Sequence, residues 1–255
     1  MRKTYWLRLL VAVPAALALQ FMLGRSVDLG VEIGSVGSYV TAVGTLYSVL
    51  AGFTVVSVWQ QFTDTDRAVK REARGLAELW RYVGYVDDPE GVARARSAIE
   101  RYRDEVVNNE WPAMLKGTTT AAAEEEYFEM ADAVNGMKVV TRKDVPAWAE
   151  AVMTLGEVSD ARGERAVFVV IRMPKLLRGL LYIATASLII GMALLGFTSP
   201  AVGAIVLAST VVVSLLVLEV IDDLDDPFTG AWAISPKPFQ RIRLAKSQRE
   251  GHQHV

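Results

Sequence analysis

The polar residues able to do chemistry are few, and their spacing matters more than their number. Ser38, Thr41, Thr45 and Ser48, followed by Gly52, fall at steps of three and four and so share one helix face. A hydroxyl stripe of this kind has two uses in an apolar helix. It can line a wet path, where hydroxyls replace part of an ion's hydration. It can also be a packing seam, with small residues such as Ser48 and Gly52 letting helices approach, or simply bond back to its own carbonyls. The second group is acidic: Glu219, Asp222, Asp223, Asp225 and Asp226, placed where a helix C-terminus is already partly negative. Such a cluster needs compensation, and Arg172, Lys175 and Arg178 are the nearest expected partners. A divalent cation held by oxygen ligands is the alternative.

The rest of the inventory excludes more than it offers. The chain has no cysteine, which removes disulfides, thiolate nucleophiles and Cys-ligated metals. Its two histidines, His252 and His254, lie in a polar tail, where a solvated tail is the expected reading. No glycine-rich phosphate loop, nucleophile elbow or carboxylate–histidine metal set occurs. An enzyme is not expected, nor any cofactor, metal or nucleic-acid partner. Carboxylate-only chemistry within the membrane is a weaker third idea.

The elements that must position these residues are four apolar stretches, at about 5–23, 38–59, 176–196 and 201–221. Each approaches the roughly 20 residues that carry a helix across a hydrocarbon core of about 30 Å. Of the 255 residues, 52% are hydrophobic, and the 22% that are charged concentrate in the middle and the tail. That segregation separates the chain from a soluble domain, where charge interleaves with every apolar face. Arg2, Lys3 and Arg8 open the first stretch, and Arg67, Lys70, Arg71 and Arg74 follow the second. Arg172, Lys175 and Arg178 precede the third. The tail carries Lys237, Arg241, Arg243, Lys246 and Arg249, a set suited to anionic headgroups or to plain solvent. The two opposite connections lack a basic excess: Arg25 is offset by Asp28 and Glu32, and Phe197-Thr198-Ser199-Pro200 is uncharged. The positive-inside rule then places both termini and the middle in the cytoplasm. A secretory signal ending near Ala16-Leu17-Ala18 is the rival for the first stretch, but the apolar run continues to Leu23.

From Gln60 to Lys175 the pattern is helical. One helix continues from the second stretch and ends at Gly84-Tyr85-Val86-Asp87. Asp88-Pro89-Glu90 caps and opens the next, whose face is Val92, Ala95, Ile99, Tyr102 and Val106. Pro112 should stop it at Trp111. Thr118-Thr119-Thr120 should cap a helix over 121–134, stopped at Asn135-Gly136, and 145–170 should lead into the third stretch. The expected fold is an all-α integral membrane protein: four transmembrane helices in two hairpins flanking a cytoplasmic helical bundle. The expected divisions are 1–59, 60–175, 176–222 and 223–255.

Several motifs carry a resemblance. Trp59-Gln60-Gln61-Phe62, Arg71-Glu72-Ala73, Glu110-Trp111-Pro112 and Asp226-Pro227-Phe228-Thr229-Gly230 together resemble the bestrophin-like domain family of bacterial membrane proteins. Trp59, Gln60, Glu110, Trp111, Pro112, Pro227, Phe228 and Gly230 are the motif positions. The resemblance covers nearly the whole chain and extends more distantly to bestrophins, which are pentameric anion channels with four spans. It implies a homo-oligomeric channel in the inner membrane, conducting inorganic anions, with the second span lining the pore. Two departures stand out. The acids precede the Asp-Pro-Phe motif, whereas calcium-responsive bestrophins place an acidic run after it, so the resemblance does not extend to calcium gating. Val49, Leu50, Phe53, Val55 and Val56 offer material for an apolar neck without defining one. The alternative function is a non-conducting scaffold or signalling protein acting through its cytoplasmic helices.

Overall fold

The computed structural model describes residues 3–26, 33–195, 197 and 199–242. The expectations placed on Arg2, Asp28, Glu32, Thr198, Arg243, Lys246, Arg249, His252 and His254 lie outside these, as do the side chains of Lys3, Leu23 and Arg25. Among the described residues the fold is all-helical: α1 (Lys3–Ser26), α2 (Ile33–Val83), α3 (Pro89–Glu105), a π-helical segment (Val106–Glu110), α4 (Trp111–Met114), α5 (Ala121–Asn135), α6 (Asp144–Val170), α7 (Lys175–Leu194) and α8 (Pro200–Leu224). Helices α2, α7 and α8 are long and apolar enough to cross a membrane, and α1 contains a shorter apolar stretch, Leu10–Met22.

The chain divides into two compact units. The first comprises 1–62, 172–226 and 230–232. Its core has two parts: Tyr47, Ala51, Val58, Leu181, Leu218 and Ile221 in one, and Ala16, Ala193, Leu207 and Val211 in the other. Small residues let the helices close. At Gly191 an added Cβ would stand 2.8 Å from the Val40 side chain. The second unit comprises 63–171, 227–229 and 233–255. Leu76, Leu79, Ile99, Tyr102, Met114, Met130 and Val158 are almost wholly buried there.

The helix ends follow local chemistry, with three departures. Helix α2 stops at Val83 and Asp88 caps α3, accepting from Gly91 N at 3.0 Å, as expected. The helix does not stop at Trp111. Pro112 has no N–H to offer the carbonyl four residues back, and the chain answers by widening into a π-turn, with Trp111 N bonded to Val106 O. This places Glu110 and Trp111, adjacent in sequence, both in the interior. Thr120 occupies the N-cap of α5, but its hydroxyl makes no capping bond. Nor does α6 lead directly into α7, because Pro174 disfavours helix at Met173 and the chain is non-helical over 171–174.

Two aspartates fasten the loops of the second unit. Asp88 also accepts from Lys138 N at 2.8 Å, and Asp144 accepts from Thr141 N, Thr141 Oγ1 and Asp87 N. The Lys138 and Gly91 amides hold the Asp88 carboxyl below its usual range, and the Thr141 hydroxyl and amide do the same for Asp144. A carboxylate stabilised in the fold adds stability above its unfolded pKa of about 3.9 and loses it as pH falls further. Thermal midpoints should therefore drop below about pH 4. Asp88→Asn and Asp144→Asn should each start lower at pH 7 and decline less steeply. Parallel curves for variant and parent would remove the assignment.

Candidate ion pathway and the acidic end of helix α8

Helix α2 has no proline, and its β-branched residues alternate with small ones, so it runs unbroken through the hydroxyl stripe. Tyr47, Ala51 and Val58 face the core, while Ser38, Thr41, Thr45, Ser48 and Gly52 lie on the exposed side. Each hydroxyl donates to the carbonyl four residues earlier: Ser38 to Gly34 and Thr41 to Gly37 at 2.9 Å, Thr45 to Thr41 and Ser48 to Gly44 at 2.8 Å. The stripe is therefore self-satisfied, and what it turns outward is oxygen lone pairs. About 100° round the helix runs a second exposed stripe: Tyr39, Leu46, Val49, Phe53 and Val56. Phe53 is 75% exposed and Val56 63%. Sequence alone did not divide the apolar candidates. The fold does: Val49, Phe53 and Val56 face outward, whereas Leu50 and Val55 pack against the core.

The acids at the end of α8 find arginine and backbone donors. Asp225, almost fully buried, pairs with Arg178 and accepts from Met173 N at 2.6 Å. Asp226 pairs with Arg172 at 3.0 Å. Asp222 accepts from Tyr182 OH at 3.1 Å, with Arg178 and Arg8 each at 3.7 Å. Lys175, expected among the partners, forms no ion pair with the cluster. Arg8, which had not been expected there, does. Asp223 takes Ala231 N on both oxygens at 3.1 Å. That closes a turn in which Gly230 has φ +92°, and an added Cβ would lie 2.0 Å from Asp223 Oδ1. Only glycine fits. Among the described residues no three acids or histidines converge as a metal site.

The motif residues fall into separate contacts. In the first unit Trp59 meets Trp232 edge-on at 5.5 Å and stacks on Phe62 at 6.1 Å, while Gln60 is exposed. In the second, Trp111 packs edge-on against Phe228 at 5.7 Å and Phe239 at 6.1 Å, and Pro227 O accepts from Ile234 N. Glu110 and Pro112 belong to the π-turn and the helix it leads into.

Sequence reasoning missed the residue that joins Glu72 to Glu110. Arg165 is wholly buried. It donates Nε to Glu72 Oε2 at 2.6 Å, Nη2 to Glu72 Oε1 at 3.1 Å and Nη2 to Glu110 Oε2 at 2.7 Å. Tyr102 OH adds a 2.5 Å bond to Glu72, and Met114 Sδ lies 2.9 Å from Nη1. Burial works against the Arg165 charge, but the two carboxylates outweigh it and hold its pKa well above the usual value. For Tyr102, burial and the Glu72 charge act together and push the phenol up. A sealed cluster with its cation locked on offers a substrate no access, so its role is structural. The signal was present: Ala151, Leu155, Val158, Ala161, Arg165 and Val169 mark one buried face of α6, with an arginine in it.

The bestrophin-like domain model matches residues 9–239. Among solved structures, a mutant of a bacterial bestrophin homologue from Klebsiella pneumoniae superposes with TM-score 0.74 at 11% identity, covering 94% of this chain and 96% of that one. A second structure of a Klebsiella pneumoniae bestrophin homologue gives 0.73 at 12%, covering 92% and 94%. A variant described only as a membrane protein gives 0.72 at 12%, covering 94% and 96%. At these identities the likeness is one of fold. No curated protein matches in sequence.

Removing one member of the Arg165 cluster leaves a buried charge without its partner, a loss of about 3–5 kcal/mol. Arg165→Met and Glu72→Gln should therefore lower unfolding stability steeply in denaturant titrations. Arg71→Gln, which breaks the exposed pair with Glu164, should change it by less than about 1 kcal/mol. Equal effects would contradict the assignment.

Proposed function

Because this chain belongs to the bestrophin-like domain family, we propose that it is a homo-oligomeric ion channel of the inner membrane. In this reading α1, α2, α7 and α8 are the four spans, the helices between α2 and α7 lie in the cytoplasm with both termini, and α2 lines the path. The observation that carries it is the outer face of α2, where self-bonded hydroxyls run beside large, exposed aliphatic and aromatic side chains. Lipid tolerates self-bonded hydroxyls but makes no use of them. A ring of copies around a shared axis uses both: hydroxyls to replace hydration, and apolar side chains to form a constriction that dewets. Inorganic anions are the first expectation from the family resemblance. Passage of an anion requires the hydroxyls to turn outward and donate, because each now donates to its own helix. Halide and alkali-metal gradients should both be measured.

The runner-up is a non-conducting scaffold working through its cytoplasmic helices. It draws on the exposed Phe128, Val140 and Met153 of the second unit. Flux through purified protein in liposomes separates the two. Wild type should conduct, and Thr41→Leu/Thr45→Leu should reduce flux at least about tenfold, the factor set by roughly 1.4 kcal/mol of added barrier. Absence of flux from folded protein under varied pH would favour the scaffold. Unchanged flux in the pair would move the path away from α2.

A further inference from the structure

We propose that the crevice between α1, α7 and α8 of the first unit is a binding site for a bilayer phospholipid with a primary-amine headgroup. The proposal rests on reading these helices as membrane spans and goes beyond ion conduction. The crevice has a volume of about 620 Å³ and is lined by Arg8, Val11, Ala12, Tyr182, Leu215, Leu218 and Glu219. That size lies within the roughly 300–1,000 Å³ typical of small-molecule sites. Its walls are apolar, and its polar groups are concentrated at one end.

Glu219 is the informative member. It lies inside α8 and is 8% exposed, yet among the described residues it accepts no hydrogen bond. Its one partner is Arg8 Nη1 at 3.8 Å, beyond bonding distance. The other acids of this end are better served, Asp222 by Tyr182 OH and Asp225 by Met173 N and Arg178. A carboxylate set among apolar walls is costly unless donors reach it. Here the open space in front of it is where a donor would stand. Arg8 has half its side chain exposed, leaving N–H groups for a second ligand.

The ligand must therefore supply an N–H donor for Glu219, an anion for Arg8 and an apolar body for Val11, Ala12, Leu215 and Leu218. An ethanolamine phospholipid has all three, the ammonium and phosphate separated by two carbons. A choline lipid has the cation without the N–H donor. A glycerol lipid has the phosphate without the ammonium. The bilayer is the source because the apolar walls belong to helices that it surrounds.

The test uses the purified full chain in mild detergent, with dioctanoyl phosphatidylethanolamine, phosphatidylcholine and phosphatidylglycerol as probes, read by the shift in unfolding temperature. Wild type should bind the ethanolamine lipid at least about tenfold more tightly than either of the others. Glu219→Gln should bring ethanolamine and glycerol lipids level. Arg8→Gln should weaken both. Both residues line the open crevice, and both variants should fold, which unliganded unfolding curves check. Equal shifts from the three lipids in wild type, or an ethanolamine preference that survives Glu219→Gln, would overturn the proposal. Lipid binding is read without flux: a conducting protein that fails this test overturns the lipid site alone, and a silent protein that passes it leaves the site standing.

Discussion

The wholly buried guanidinium of Arg165 sets the terms for the second unit. Arg165 must lose its hydration entirely, and Glu72 and Glu110 must both reach it for that loss to be offset. Glu72 sits on α2, Tyr102 on α3 and Arg165 on α6, so these helices have one mutual register in which the bonds form. Small residues make the approach possible: Ala68, Ala73, Ala95, Ala98, Ala151 and Ala161 are all buried. The π-turn belongs to the same requirement. An uninterrupted α-helix would turn Glu110 and Trp111 about 100° apart. The extra residue before Pro112 lets the acid meet Arg165 while the indole meets Phe228 and Phe239.

The first unit meets a similar problem differently. Five acids at the C-terminal end of α8 oppose the helix dipole, and four of them meet nearby donors: Arg178 serves both Asp222 and Asp225, Arg172 serves Asp226, and the Ala231 amide serves Asp223. The Asp223–Gly230 turn then fixes where the chain leaves the helix. Glu219 is the exception, buried and poorly served, and that difference is what separates a structural acid from a candidate binding group. The outer face of α2 carries the other functional signal, since its hydroxyls need nothing from the rest of the chain and are left facing outward.

Much of this was legible in residue order. Apolar runs gave the long helices. Asp88-Pro89-Glu90 marked the start of α3 by cap chemistry that is local and therefore readable. The break at Pro174 was local and readable, but the larger failures share a cause: they depended on something distant in sequence. Pro112 reads as a helix stop because the π-turn that accommodates it is favoured by interior partners. Arg165 reads as one charge among many until Glu72, 93 positions earlier, is seen to pair with it. Lys175 and Arg178 are equivalent by composition, and only packing against α8 selects the arginine. Leu50 and Phe53 are equally apolar, and only the neighbouring helices decide which one faces out.

Thr45→Cys tests the central claim most directly, because the chain has no other cysteine. Protein carrying this substitution would be placed in liposomes and treated with a charged, membrane-impermeant thiol reagent while ion flux is followed. An α2-lined path predicts that the thiol is modified and that flux falls as modification proceeds. A thiol that stays unreactive while flux continues would contradict it.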